Sequence, residues 1–164
     1  MALLKRLVLI LFVLVGFDQY TKQIIYKNFY LYESISVIKG FFSITYILNP
    51  GAAFGFLANM SENYRVLFFV FVTIIAIALV IYLLIKEKIF KIRKYAYTFI
   101  LAGAFGNLID RIWLGKVIDF LDFYIKDHHW PAFNVADIAI SVGVGLLLID
   151  MIFFKKDSLD TAKD

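Results

Sequence analysis

The side chains available for chemistry in this chain are carboxylates, amides and one pair of histidines, because there is no cysteine. That removes thiol nucleophiles, thiolate metal sites and disulfides together. Serine offers little. No Ser lies in a Gly-x-Ser-x-Gly setting, Ser141 has no base near it in sequence, and Lys39 beside Ser36 or Ser43 is the best Ser–Lys candidate. His128 and His129 lie close to Asp119, Asp122 and Asp127, but adjacent histidines on a regular element point apart and no His-Glu-x-x-His is present. A metal site is therefore not expected, nor any other cofactor. Paired carboxylates remain. Brought together, two of them cannot both ionise easily, so they share a proton, and one can act as base on a water while the other acts as acid. Asp137 is one candidate, and Asp119 or Asp122 the other; spacing alone leaves that choice open.

Most of these residues also have a purely structural reading. Asp18 and Lys22 have i, i+4 ion-pair spacing. Asn134 with Asp137 three residues on resembles a capping box at the start of a helix. Asn107 and Arg111 share a helix face, and an arginine near a helix end can reach to the membrane interface. Asp119 and Asp122 would be solvated loop charges, and Asp150 an interfacial residue near Lys155 and Lys156.

The elements that must position these groups follow from composition. Of 164 residues, 62% are hydrophobic, and mean hydropathy is +0.82. Soluble domains hold about 45–50% apolar residues, so this reads as an integral membrane protein of one domain, residues 1–164. Val66–Ile85 is a run of twenty residues without a charge, the length needed to cross a bilayer. Together with three more polar runs it gives expected spans of about 5–25, 66–85, 95–112 and 136–154. The first resembles a leader, but "GFDQYTK" after it is bulky and charged, so it reads as a retained span.

Ten of the 17 Lys and Arg residues fall in three places: Lys5 and Arg6; Lys86, Lys88, Lys91, Arg93 and Lys94; and Lys155, Lys156 and Lys163. The positive-inside rule then places both termini in the cytoplasm. The pI near 9.2 becomes a topology signal with lipid headgroups as partners, and nucleic acid is not needed. Segments of about 26–65 and 113–135 lie outside. In the first, Phe42, Ile44 and Tyr46 alternate with Ser43 and Thr45, predicting a short strand pair that "NPG" ends. The expected fold is an all-α membrane protein: four transmembrane helices, a small extracytoplasmic β-strand cradle and a short extracytoplasmic loop or helix. This topology gathers Asp18, Lys22, Asn49, Asn107, Asp110, Arg111, Asp119, Asp122 and Asp137 at the outer surface. A small transporter or channel with an outer polar site is the alternative. Against it, helix two offers only Thr73 and helix four only Ser141 to continue a path inward. A lipid-binding scaffold without chemistry would tolerate Asn at both aspartates.

Five segments resemble the bacterial lipoprotein signal peptidases (signal peptidase II): "DQYTK" at 18–22, "NPGAAFG" at 49–55, "GNLIDR" at 106–111, "VIDF" at 117–120 and "FNVAD" at 133–137. Each is weak alone; five in order are specific. The resemblance implies an aspartic endopeptidase of the inner membrane that cuts a prolipoprotein before a cysteine already carrying diacylglycerol. By it, Asp119 and Asp137 are the catalytic pair, which decides against Asp122. Asn49, Gly51, Asn107, Arg111 and Asn134 fall at substrate-binding positions or beside the pair, and Asp18, Lys22 and Asp110 support the fold. It further implies a gating helix within 113–130 and sensitivity to globomycin-type cyclic peptides; a monomer suffices if one chain supplies both aspartates.

Overall fold

The computed structural model describes residues 2–51, 61–88 and 90–153. Part of "NPGAAFG" and the lysines at 155, 156 and 163 lie outside them. Four helices carry the chain: α1 (Ala2–Asn28), α2 (Glu62–Lys86), α3 (Lys91–Leu114) and α4 (Val135–Phe153). The expected spans 5–25, 66–85 and 95–112 fall within the first three, and 136–154 coincides with α4 to Phe153, its last residue lying outside the described residues. Of the four, α2 and α4 are long and apolar enough by themselves to cross a membrane; α1 carries Asp18 and Lys22 in its second half, and α3 carries charges toward both ends.

The polarity is inside out relative to a soluble protein. Phe12, Phe71, Ile112 and Ile152 on the four helices are each more than 60% exposed, while Asp18, Lys22, Asp110 and Asp150 are 1–2% exposed. Aliphatic side chains gain nothing by leaving lipid for a helix interface, so close packing and polar contacts must hold such a bundle together. The sequence provides both. A Cβ added at Gly103 would stand 2.2 Å from the Ala136 carbonyl oxygen, and one at Gly106 would stand 2.5 Å from Asp18 Oδ2. These two glycines let α3 lie directly against α4 and α1.

A four-stranded antiparallel sheet caps one end, in the order β1 (Ser34–Ile38), β2 (Phe42–Asn49), β3 (Val117–Ile125), β4 (His128–His129). The expected strand pair is β1 and β2, and β2 ends at Asn49 because Pro50 has no N–H to give a ladder. Tyr46, Ile118 and Phe120 bury their side chains with Ile25 of α1, which seats the sheet on the helices.

Two expectations are corrected. Residues 113–130 hold no gating helix: α3 ends at Leu114, Gly115 caps it in the left-handed conformation (φ 70°), and β3 and β4 follow. "VIDFLDFYI" is rich in β-branched and aromatic residues and finds a partner in β2, so pairing prevails over helix. Asp119 is therefore a strand residue, 2% exposed, and not a loop charge. Nor is Asp150 interfacial. It is 1% exposed and ion-paired with Arg93 Nε of α3 at 2.6 Å, because α4 packs alongside α3 to that depth.

Candidate active site

Asp119 reaches the site by strand register. Ile47 pairs with Asp119 and Asn49 with Val117, so Asn49 and Asp119 are diagonal neighbours on one face of the β2–β3 ladder. Asn49 Nδ2 donates to Asp119 Oδ2 at 2.9 Å, while its Oδ1 accepts the Gly51 N–H at 2.8 Å. This Asx turn fixes which end of the amide faces the carboxylate. Gly51 adopts φ 84°, and a Cβ there would stand 2.5 Å from the Phe69 ring, so the turn requires glycine.

Asp137 is placed by the start of α4. Phe133 exchanges backbone hydrogen bonds with Leu121 of β3 at 2.8 and 3.1 Å, which carries the chain past Asp119 just before the helix begins. Asn134 and Asp137 then form the capping box. The Asp137 N–H donates to Asn134 Oδ1 at 3.0 Å, and the Asn134 N–H donates to Asp137 Oδ2 at 3.2 Å. With its oxygen so used, the Asn134 amide nitrogen donates to Asp119 Oδ1 at 2.7 Å. Asn107 of α3 donates to Asp137 Oδ1 at 2.8 Å. Both carboxylates are thus held by amide donors on each oxygen, and Asn134 touches both.

Burial pushes the Asp119 carboxyl up from 3.8 to about 7, and the charge of Asp137 adds to this against the opposing hydrogen bonds of Asn49 and Asn134. It can therefore hold a proton at neutral pH, where an ordinary carboxyl is ionised. A groove of about 360 Å³ opens beside Asp137, lined by Trp130, Phe133, Ile138, Ser141 and Val142. The arrangement has what dyad hydrolysis requires: one carboxyl that can keep a proton, a second held at a helix N-terminus, and apolar walls that restrict water.

Residues 10–153 match the family model described as signal peptidase (SPase) II. A protein named lipoprotein signal peptidase from Syntrophus aciditrophicus is 54% identical over 141 residues, which cover 85% of this chain and 88% of that one. Another of that name, from Desulforapulum autotrophicum, is 43% identical and covers 95% and 97%. The chain belongs to the signal peptidase II family. Among solved structures, a bacterial membrane enzyme determined in meso at 1.9 Å is 36% identical with a TM-score of 0.82, covering 92% of this chain and 94% of that one.

In this family member, all ten of the residues named above as catalytic, substrate-binding or supporting join one connected network. Lys22 bonds Asp18 Oδ2 at 2.8 Å and Asp110 Oδ2 at 2.9 Å, bearing out the i, i+4 pair and adding a third member from α3. Asp18 Oδ1 accepts the Ala136 N–H at 2.8 Å, and Asp110 Oδ2 accepts the Ile118 N–H at 3.1 Å, so the trio also ties down α4 and β3. Arg111 stands at the rim. Its Nη1 donates to the Asn107 carbonyl at 3.3 Å and its guanidinium lies 5.7 Å from the Phe69 ring. It also lines a cavity of about 410 Å³ with Glu62, Asn63 and Val66. Asp122 is apart from this network, facing His129 Nδ1 at 2.9 Å. Among the described residues, no three His, Asp or Glu side chains converge as a metal site.

Sequence reasoning missed Gln19, whose Nε2 donates to Asp110 Oδ1 at 2.9 Å and to the Gly106 carbonyl at 3.0 Å. A neutral amide next to Asp18 in an apolar helix was the available signal. It missed Phe69 as well, which reads as one more lipid-facing aromatic until Gly51 and Arg111 are seen against it.

Proposed function

We propose that this signal peptidase II family member removes the signal peptide of diacylglyceryl-modified prolipoproteins, with Asp119 and Asp137 as the catalytic dyad. The observation that carries the assignment is Asn134, which hydrogen-bonds both carboxylates and leaves Asp122 outside the network. Asp137 is the ionised member and takes a proton from water as the oxygen attacks the scissile carbonyl. Asp119 gives its proton to the developing oxyanion. The proton then held by Asp137 goes to the leaving amide nitrogen as the C–N bond breaks, a hydroxyl of the collapsing diol returns a proton to Asp119 as the new carboxyl forms, and the dyad again has one proton to share. Asn49, Gly51, Asn107, Arg111 and Asn134 line the substrate path, and Asp18, Lys22 and Asp110 hold the helices that present it.

The four helices span the inner membrane with both termini in the cytoplasm, a reading supported by their outward apolar faces and the clustered lysines and arginines. The sheet lies at the outer headgroup level, where a substrate anchored by its acyl chains brings the scissile bond. Membrane lipids surround the helices. One chain supplies both aspartates, so the enzyme acts as a monomer. Globomycin-type peptides bind over the dyad.

The test is cleavage of a diacylglyceryl-modified prolipoprotein by protein purified in detergent, wild type beside Asp119→Asn and Asp137→Asn, with a chelator present. Cutting by wild type alone supports the dyad. Equal cutting by both variants overturns it, and loss of cutting to the chelator points to a metal mechanism instead.

A further inference from the structure

Lys22 is more than half of a buried ion pair. Its ammonium has three N–H donors and no acceptor, and all three are engaged: Asp18 Oδ2 at 2.8 Å, Asp110 Oδ2 at 2.9 Å and Asn107 Oδ1 at 3.0 Å. Two acidic partners already satisfy the structural need of a buried lysine. The third bond leads into the site. Because Lys22 can only donate, Asn107 must turn its oxygen toward it, and the Asn107 NH₂ group then faces Asp137 Oδ1 at 2.8 Å. Asn134 Nδ2 donates to that same oxygen of Asn107 at 3.2 Å, which agrees with the orientation. Without Lys22, the Asn107 amide could rotate and present an oxygen to a carboxylate oxygen, an arrangement that requires a proton between them.

Resting on the dyad reading above, we propose that Lys22 is a positioning residue for catalysis. By orienting the Asn107 amide it keeps a donor on Asp137 and so sets the pH range in which that carboxylate can accept a proton from water. The other charged groups around Asp137 are Asp18 from α1, Asp110 and Arg111 from α3, and Asp119 from β3. Asp18 and Asp110 are locked onto Lys22 itself. Arg111 feels Asp137, Asp110 and Asp119 together. Lys22 is the one of these that acts through the orientation of an amide.

The test rests on two double variants in which the trio keeps its wild-type charge. Lys22→Met with Asp18→Asn leaves one negative charge, as in the wild type, and Asn at 18 keeps an oxygen for the Ala136 N–H. The comparisons are Asp18→Asn alone and Lys22→Gln with Asp18→Asn, which restores a neutral donor toward Asn107. Each is assayed for kcat and KM on a diacylglyceryl-modified prolipoprotein across pH, with thermal melting to confirm folding. The Met variant should lose about 10- to 100-fold in kcat, the range for one hydrogen bond to a charged group, with KM little changed. The acid limb of its pH–rate profile should move to higher pH, because ionised Asp137 has lost a donor. The Gln variant should return the limb toward that of Asp18→Asn. Coincident profiles for all three would overturn the inference. If the Met variant does not fold, Asn107→Asp serves instead: Lys22 keeps an acceptor, but no N–H is left for Asp137. An Asn107→Asp enzyme with wild-type kcat and profile would equally overturn it. Cutting by Asp119→Asn would instead bring down the dyad reading itself.

Discussion

Asn134 donates its side-chain amide to Asp119 Oδ1 at 2.7 Å from a position that is 0% exposed. The same residue closes the capping box on Asp137, so one amide sets the relation between the two carboxylates. Asn134→Leu removes the side-chain bonds to Asp119 Oδ1 and to the Asp137 N–H, and leaves the backbone bond to Asp137 Oδ2. Leaving a buried polar partner unsatisfied costs about 1–3 kcal/mol, so prolipoprotein cleavage should fall at least about 10-fold and melting should occur at a lower temperature. Cleavage by the folded variant at the wild-type rate would show that the bridge is dispensable.

The pH dependence follows from Asp119. Its folded value of about 7 lies above the ordinary 3.8, so between these limits the folded state binds a proton that the unfolded state has released. Stability is therefore greatest below about pH 4 as far as this group is concerned, and falls as pH rises toward 7. The difference is at most about 4 kcal/mol, at 1.36 kcal/mol per unit. Asp119→Asn should accordingly stabilise the protein more at pH 8 than at pH 5, measured by thermal melting in one detergent. In the wild type, the rate should decline above about pH 7 as the shared proton is lost. A stabilisation by Asn that is equal at both pH values would contradict the buried, proton-holding carboxyl.

Gly51 holds the Asn49 turn with φ 84° against the face of Phe69. A side chain in this conformation costs about 1–2 kcal/mol before any clash is counted. Gly51→Ala should lower kcat by turning the Asn49 amide away from Asp119. Adding Phe69→Leu should relieve the steric part and recover some of the activity. If the single substitution leaves kcat untouched, the Asx turn does not control Asp119.

At the opposite end of the bundle, Arg93 pairs with Asp150 at 2.6 Å and Glu87 at 3.4 Å, and lies 4.3 Å from the Phe90 ring. Asp150 is buried and Arg93 is about a third exposed. Arg93→Ala strands a buried carboxylate and should cost about 3 kcal/mol, seen as a lowered melting temperature. Arg93→Met with Asp150→Leu should cost less, since no charge is stranded. Cleavage per folded molecule should be unchanged in both, because the pair lies far along α3 and α4 from Asp119 and Asp137. Loss of turnover without loss of stability would assign the pair to the reaction.

The sequence by itself determined the solvent, the helices and the first strand pair, and its five motifs named the candidate residues of the site. Apolar runs the length of a bilayer decide the first two, and alternation ended by a proline decides the third. Short local relations were legible for the same reason: Asp18 with Lys22, and Asn134 with Asp137, depend only on helix geometry. What needed the tertiary structure was every relation between elements. The segment after α3 became a strand because β2 offered an unpaired edge, and that register turned Asp119 toward Asn49 and left Asp122 facing His129. Spacing could not separate those two aspartates, since which strand face meets the site depends on the partner. Asp150 and Arg93 are 57 residues apart, and only the packing of α3 against α4 joins them. The orientation of the Asn107 amide was equally beyond the sequence. It is set by two donors, Lys22 on α1 and the Asn134 amide ahead of α4, and by one acceptor, Asp137 on α4, which meet only when the chain is folded.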